Sequence, residues 1–285
     1  MEIMDPQRRF DPTSEPDAFW TILDQLVERS SVSFTPIFAK RDWRWPKWEG
    51  VGTAFVLMEK GEAYLVTATH VLDCAFGHKD VIAKLFNKVV ALHGLYFVSD
   101  DENDVAVTLL PRRWLDSYGI ERLYAPSVAQ LSTEYQRSGQ YVMLGYPASR
   151  NRFDPRTPGR TATGAWFISK STTPIGVKTS MRDAQFFEYD AKGPEGRALP
   201  SLQGMSGGPV WELMFRNMPG VATGVSLYPR GIICEHHKRN RVIAAAPIEV
   251  ALKLIRDRAL LWKIAADSHA KAFPSVLVRQ LRMPL

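Results

Sequence analysis

From Gly50 to Ala246 the chain breaks into short runs of Val, Ile, Leu and Phe. Glycine, proline or a charge cluster closes each run within a few residues. This punctuation constrains the fold more than any other feature. Runs of this length bounded by turn residues make strands, and their regular spacing predicts an all-β barrel or sandwich. The first series is Val51–Met58, Ala63–Thr69, Val81–Leu85, Val89–Val98 and Val105–Leu110. Residues 116–138, with Tyr118-Gly119 and Ala125-Pro126, read as a linker. The second series is Gln140–Gly145, Ala165–Ser169, Ile175–Thr179, Gln185–Tyr189, Val210–Leu213, Val221–Leu227, Gly231–Glu235 and Arg241–Ala246.

Helices flank the β region. Ser14 is placed to cap a helix over residues 15–30, with Pro16 and Asp17 in its first turn. Phe19, Ile22, Leu23, Leu26 and Val27 recur at helical spacing and form its apolar face. A second helix is expected from Pro247 to about Ala265, with Val250, Leu254, Leu261 and Ile264 on one face. The expected organisation is therefore an N-terminal helical extension (1–33), a first β-barrel (34–115), the linker (116–138), a second barrel (139–246) and a C-terminal helix and tail (247–285).

Composition narrows the class. The 285 residues are 45% hydrophobic and 23% charged, which excludes a disordered, collagen-like or simple coiled-coil chain. No apolar stretch approaches the ~18 residues of a membrane helix. Met1 to Pro16 is charged and proline-rich, without the apolar centre of a signal peptide. Two cysteines, Cys74 and Cys234, cannot build a disulfide framework. These features point to a cytoplasmic protein. The two cysteines are expected to be buried apolar residues. Charge is divided: residues 1–140 carry 15 basic and 20 acidic side chains, residues 141–285 carry 21 and 10, and the net is +6. A basic second half suits an acidic partner or nucleic acid.

Three segments carry chemistry. Leu65-Val66-Thr67-Ala68-Thr69-His70 ends a β run in small residues and a histidine. Asn103-Asp104-Val105-Ala106-Val107 takes an aspartate into an apolar strand; Asp101 and Glu102 compete with Asp104, but only Asp104 directly precedes the strand. Gly204-Met205-Ser206-Gly207-Gly208-Pro209 sets a serine in a glycine turn. A serine hydroxyl needs a base to become a nucleophile, and a neutral imidazole is that base near neutral pH. A carboxylate fixes the imidazole tautomer. Glycines let backbone N–H groups converge where an oxyanion develops. The order His…Asp…Ser is that of a double-barrel protease and not of an α/β hydrolase. Structural roles remain open for each residue taken alone, including a turn serine at Ser206.

With these residues in view the chain resembles chymotrypsin-fold, trypsin-like serine proteases, in the style of the bacterial Deg/HtrA peptidase domain. Gly52-Thr53-Ala54-Phe55-Val56-Leu57, Thr67-Ala68-Thr69-His70-Val71, Asp104-Val105-Ala106-Val107, Gly145-Tyr146-Pro147 and the Gly204–Val210 turn carry the resemblance, which spans roughly residues 34–260. It implies two six-stranded Greek-key barrels with a cleft between them. It implies His70 as base, Asp104 as its orienting partner and Ser206 as nucleophile, with the Gly204 and Ser206 N–H groups as oxyanion hole. It places the specificity pocket at Pro200 and Ser201, with a wall formed by Gly224, Ser226 and Tyr228. No acid stands at the pocket base, which favours an uncharged side chain before the scissile bond. Met205 stands where zymogen proteases carry an aspartate, so activation through a cut N-terminus is not expected. The tail after the last helix is too short for a PDZ domain.

The resulting expectation is a serine endopeptidase acting on a protein or peptide substrate through an acyl-enzyme, with narrow or regulated specificity and room for a regulatory protein partner. It is expected to serve as a processing protease or defence effector. It needs no cofactor and no metal. Cys234, His236 and His237 share one hairpin without a second ligand pair at zinc spacing. A catalytically silent binding module on the same fold is the alternative, and nucleic acid is the weaker partner class. Lys238 to Arg241 reads as a solvated hairpin tip. Trp43, Trp45 and Trp48 read as packing for the N-terminal extension.

Overall fold

The strand-forming runs do pair, in two antiparallel sheets joined along their core. The computed structural model describes residues 33–40, 48–77, 80–86, 88–121, 135–148, 152–153, 164–190, 201–216 and 224–257, with helical positions Thr21, Leu23, Gln25, Leu26 and Glu28 before them. The first sheet contains β1 (Phe34–Lys40), β2 (Trp48–Glu59), β3 (Glu62–Thr67), β4 (Asp80–Leu85), β5 (Lys88–Ala91), β6 (Phe97–Asp100) and β7 (Val105–Leu109). Their order across it is β5-β4-β1-β2-β3-β7-β6. The two-residue β9 (Arg152–Phe153) crosses over to pair with Trp48 and Glu49 of β2.

The second half forms a closed barrel. Around its wall run β10 (Ala165–Thr172), β11 (Gln185–Glu188), β14 (Val242–Pro247), β13 (Gly224–His237), β12 (Pro209–Arg216) and β8 (Tyr135–Gly145). One closed six-stranded barrel thus stands beside one antiparallel sheet. Two closed barrels were expected. Among the described residues, the terminal strands β5 and β6 of the first sheet do not pair with each other. Closure needs a hydrogen-bond ladder between the end strands, which local hydrophobic pattern cannot specify.

Other elements depart from the sequence pattern. Val89–Val98 is two strands, because Gly94 turns the chain at φ +89°. The run Ile175–Thr179 is a loop, and Ile175 is 97% exposed. Of the run Val221–Leu227, residues 224–227 are described and join Gly231–Glu235 in the single long β13, which carries a register shift between Ile233 and Glu235. The helix after β14 is described over residues 248–257. It buries Ile248, Ala251, Leu252 and Ile255, while Val250 and Leu254 are half-buried. The anticipated apolar face is therefore rotated, and Leu261 and Ile264 lie outside the described residues. Arg256 of this helix donates two hydrogen bonds to Glu59 Oε1 at the end of β2, both at 3.2 Å. Of the N-terminal extension, Leu23 is buried in the main core. Trp48 begins β2, whereas Trp43 and Trp45 lie outside the described residues.

Alternation along the barrel strands divides the apolar residues between two cores. Met143, Phe167, Phe187, Met205, Val210, Ile233, Ile243 and Ala245 form one cluster. Ile232, Cys234, Ala244 and Ala246, their neighbours in sequence, belong to the larger core shared with the first sheet. Trp211 of β12 meets Phe55 of β2 edge-on, with ring centroids 6.3 Å apart. The barrel wall facing the first sheet is buried on both sides, and the candidate site lies where the two units abut. No helix among the described residues is long and apolar enough to cross a membrane.

Candidate active site

Asp104 holds the Thr69-His70 segment through three contacts, two of them to His70. It ends a turn before β7 with φ +55°, a left-handed conformation that is uncommon outside glycine. Its carbonyl accepts the Thr69 N–H at 3.2 Å. Its Oδ1 accepts the His70 N–H at 2.9 Å and its Oδ2 lies 2.7 Å from His70 Nδ1. An ionised carboxylate only accepts hydrogen bonds, so Nδ1 carries the proton and Nε2 keeps its lone pair. His70 stands in the first turn of the helix Thr69–Phe76, immediately after β3.

Burial disfavours the charged imidazolium of His70. The hydrogen bond and charge of Asp104 outweigh that, with Asp73 and Glu235 adding to it, and the pKa is raised above the usual histidine value. The turn that carries Asp104 is itself anchored. Asn103, nearly fully buried, accepts the Asp183 N–H at 3.0 Å. Arg182 forms an ion pair with Glu102 and donates its N–H to the Glu102 carbonyl at 3.0 Å.

The Ser206 turn is clamped from both units. Thr53 of β2, fully buried, donates its N–H to the Ser206 carbonyl at 2.8 Å. Its hydroxyl donates to the Gly204 carbonyl and accepts the Tyr146 N–H, each at 2.9 Å. Gly207 has φ +83°, and a Cβ there would collide with Thr53 O and Thr67 Oγ1. Only glycine lets this turn lie against the segment leading into His70. Gly204 has φ +91°, and a Cβ there would lie 2.6 Å from Ala148 N. Ala148 N–H donates to the Gln203 carbonyl at 2.7 Å. Because a trans peptide points its C=O and N–H in opposite directions, the Gly204 N–H faces away from Ala148. Met205, fully buried, fills the barrel core beneath the turn. An apolar side chain anchors this turn.

Ser206 Oγ donates to the Cys234 carbonyl at 3.3 Å. Cys234 had no functional role in the sequence reading, yet it joins the two halves of the site. Its Sγ lies 3.6 Å from the Asp104 carbonyl. Burial pushes its thiol pKa well up, and the Asp104 charge adds to that. Cys74, expected to be buried, is exposed on the helix after His70. Glu235, the next residue of β13, was also missed. Its one visible signal was its place directly after the cysteine in a predicted strand.

Of the residues expected to form a specificity pocket, Gly224, Ser226 and Tyr228 lie along β13 at the end away from Cys234. Pro200 lies outside the described residues. Ser201 is exposed, five positions ahead of Ser206. Gly224, Ser226 and Tyr228 pair with Arg216, Met214 and Glu212, at the end of β13 away from Cys234. At ~3.3 Å per residue, Tyr228 is about 20 Å along the strand from Cys234. Tyr228 instead lies under Arg230, 5.3 Å from the guanidinium, beside the buried Glu212 that binds Arg230 Nε at 2.5 Å. These three assignments need β13 to be two short strands, and its continuity separates them from Ser206. His236 Nε2 lies 2.5 Å from the Tyr189 hydroxyl and His237 Nε2 lies 3.1 Å from Glu235 Oε2. Among the described residues no group of three or more His, Cys, Asp or Glu is placed to hold a metal.

No family model and no curated protein matches the chain. Solved structures similar to it include the serine protease domain of the Sesbania mosaic virus polyprotein. That likeness has TM-score 0.43 and 13% identity, covering 79% of this chain and 91% of the other. The thermostable serine protease AL20 from an extremophilic microorganism is similar at TM-score 0.42 and 15% identity, over 77% of this chain and 92% of that one.

Proposed function

We propose that the protein is a serine endopeptidase that cleaves a protein or peptide partner through an acyl-enzyme. The observation that carries this is the 2.7 Å contact between His70 Nδ1 and Asp104 Oδ2, beside a glycine-flanked serine turn bonded to the same unit. Asp104 keeps the Nε2 lone pair available and stabilises the imidazolium that forms. His70 takes the Ser206 proton, and Oγ attacks the substrate carbonyl. The Gly204 and Ser206 N–H groups receive the oxyanion. His70 then protonates the leaving amine, and water attacks the acyl-enzyme by the same route. This chemistry uses no metal or cofactor. Two unpaired thiols and a buried Met205 suit a bacterial cytoplasmic protease with narrow specificity, used in processing or defence.

The hydrogen bond from Ser206 Oγ to the Cys234 carbonyl favours a second reading, a silent binding module that keeps this rotamer. A fluorophosphonate probe separates the two. Covalent labelling lost in Ser206→Ala and His70→Ala supports the endopeptidase. Absence of labelling, with and without candidate partner proteins, supports the silent module.

A further inference from the structure

β13 offers an open edge beside the site. Among the described residues β12 pairs with it only as far as Ile232. Gly207 N–H and Gly208 C=O then bond Ile233, at 2.6 and 2.8 Å. Beyond this point β13 runs on to His237 with β14 on its other side, and no described strand covers its outer edge. The Cys234 carbonyl, which accepts from Ser206 Oγ, stands at the start of that edge. An unpaired strand edge next to a reactive hydroxyl is a template for an extended peptide.

Glu235 is the first side chain along it. Its side chain is 25% exposed. Its Oε1 accepts the Ser180 N–H at 3.1 Å and hydroxyl at 2.7 Å. Its Oε2 lies 3.1 Å from His237 Nε2. A carboxylate has about four acceptor positions, so the group is fixed in place with capacity to spare. The Ser180 and Thr179 bonds and the nearness of His237 outweigh burial and lower its pKa. Its charge also reaches His70. Arg182, on the same loop as Ser180, is already paired with Glu102.

We propose that Glu235 selects a lysine or arginine at the residue immediately before the one whose carbonyl Ser206 attacks. This rests on the endopeptidase reading. When Ser206 Oγ turns to the substrate carbon, the Cys234 carbonyl is released to accept the N–H of the attacked residue. An antiparallel peptide then sets its preceding residue opposite Glu235. Directly opposed residues of an antiparallel pair point to the same face, with Cβ atoms ~4.5–5.5 Å apart. A cation at that position meets an ionised, oriented carboxylate, and Asp73 and Asp104 contribute the same sign of field nearby.

The test is cleavage profiling of a proteome-derived peptide library with wild type, Ser206→Ala, Glu235→Gln and Glu235→Lys. Wild-type cleavage absent from Ser206→Ala should show Lys and Arg enriched at that one position. The kcat/KM preference for Lys over Gln there should be about two- to fivefold, and weaker at high salt. Glu235→Gln should erase the preference, and Glu235→Lys should turn it towards Asp and Glu. Ser206-dependent cleavage without this enrichment, or enrichment that survives Glu235→Gln, overturns the inference alone. No Ser206-dependent cleavage and no fluorophosphonate labelling overturns it together with the endopeptidase reading.

Discussion

Replacing Thr53 by valine tests whether one hydroxyl sets the nucleophile turn. Valine keeps the shape and removes only Oγ1, which donates to the Gly204 carbonyl and accepts the Tyr146 N–H. Thr53 is fully buried, so water does not replace either partner. A buried polar group left unpaired costs about 1–3 kcal/mol. Two such groups give an expected loss of about 2–6 kcal/mol, a large share of the ~5–15 kcal/mol that holds a domain folded. The Gly204 peptide also loses one of its anchors. Loss of a whole oxyanion donor slows acyl transfer ~10²–10³-fold, and a displaced donor should slow fluorophosphonate labelling of Ser206 by about 10- to 100-fold. Urea denaturation and labelling kinetics at pH 7 read both effects. Thr53→Ser keeps the hydroxyl and should retain most of the labelling rate, with a stability loss of about 1 kcal/mol for the methyl group. A Thr53→Val protein within about 0.5 kcal/mol of wild type that labels at the wild-type rate would refute the clamp.

Other outcomes follow from the same contacts. Labelling of Ser206 needs neutral His70, so its rate should climb as pH rises through a value above the usual histidine pKa; a rate already maximal at pH 6 would contradict this. The stability linked to protonation of His70, whose pKa is raised in the fold, runs the opposite way, fully present below its unfolded pKa and lost as pH rises through the folded one, which denaturation at several pH values measures against His70→Gln. A thiol reagent on the native protein should modify exposed Cys74 and spare Cys234 until the protein unfolds, counted by mass spectrometry; rapid double modification would contradict the burial of Cys234. Gly204→Ala adds a Cβ 2.6 Å from Ala148 N at φ +91° and should cost about 2 kcal/mol or more and abolish labelling, whereas wild-type labelling would show that the loop is not held at Gly204.

The His70–Asp104 contact was legible because its signals are local. A histidine after a β run, an aspartate ahead of an alternating strand and a serine among glycines each mark a candidate within a few residues. The strand runs were legible for the same reason, since a period of two reports a pleated, half-buried surface. Ile175–Thr179 failed this test. Among the described residues no strand pairs with it, and the residues that follow it, Ser180 and Arg182, bond instead to Glu235 and Glu102. The course of β13 was not legible either: the residues assigned to a pocket wall, Gly224, Ser226 and Tyr228, were placed by position along the chain, and β13 is one strand of 14 residues that sets them at the end away from Cys234.

The sequence by itself determined that this chain is mostly β, that its apolar runs fall into two series, and that His70, Asp104 and Ser206 stand at the borders of those runs. Tertiary structure decided which series closes into a barrel, which carbonyl Ser206 meets, and where a strand edge is left open. These depend on hydrogen bonds and contacts between residues far apart in the chain. Thr53 reaches Gly204 across 151 positions, and Cys234 Sγ meets the Asp104 carbonyl across 130. Short-range pattern carries no information about such pairings, and the choice of Glu235 as the side chain beside the open edge belongs to them.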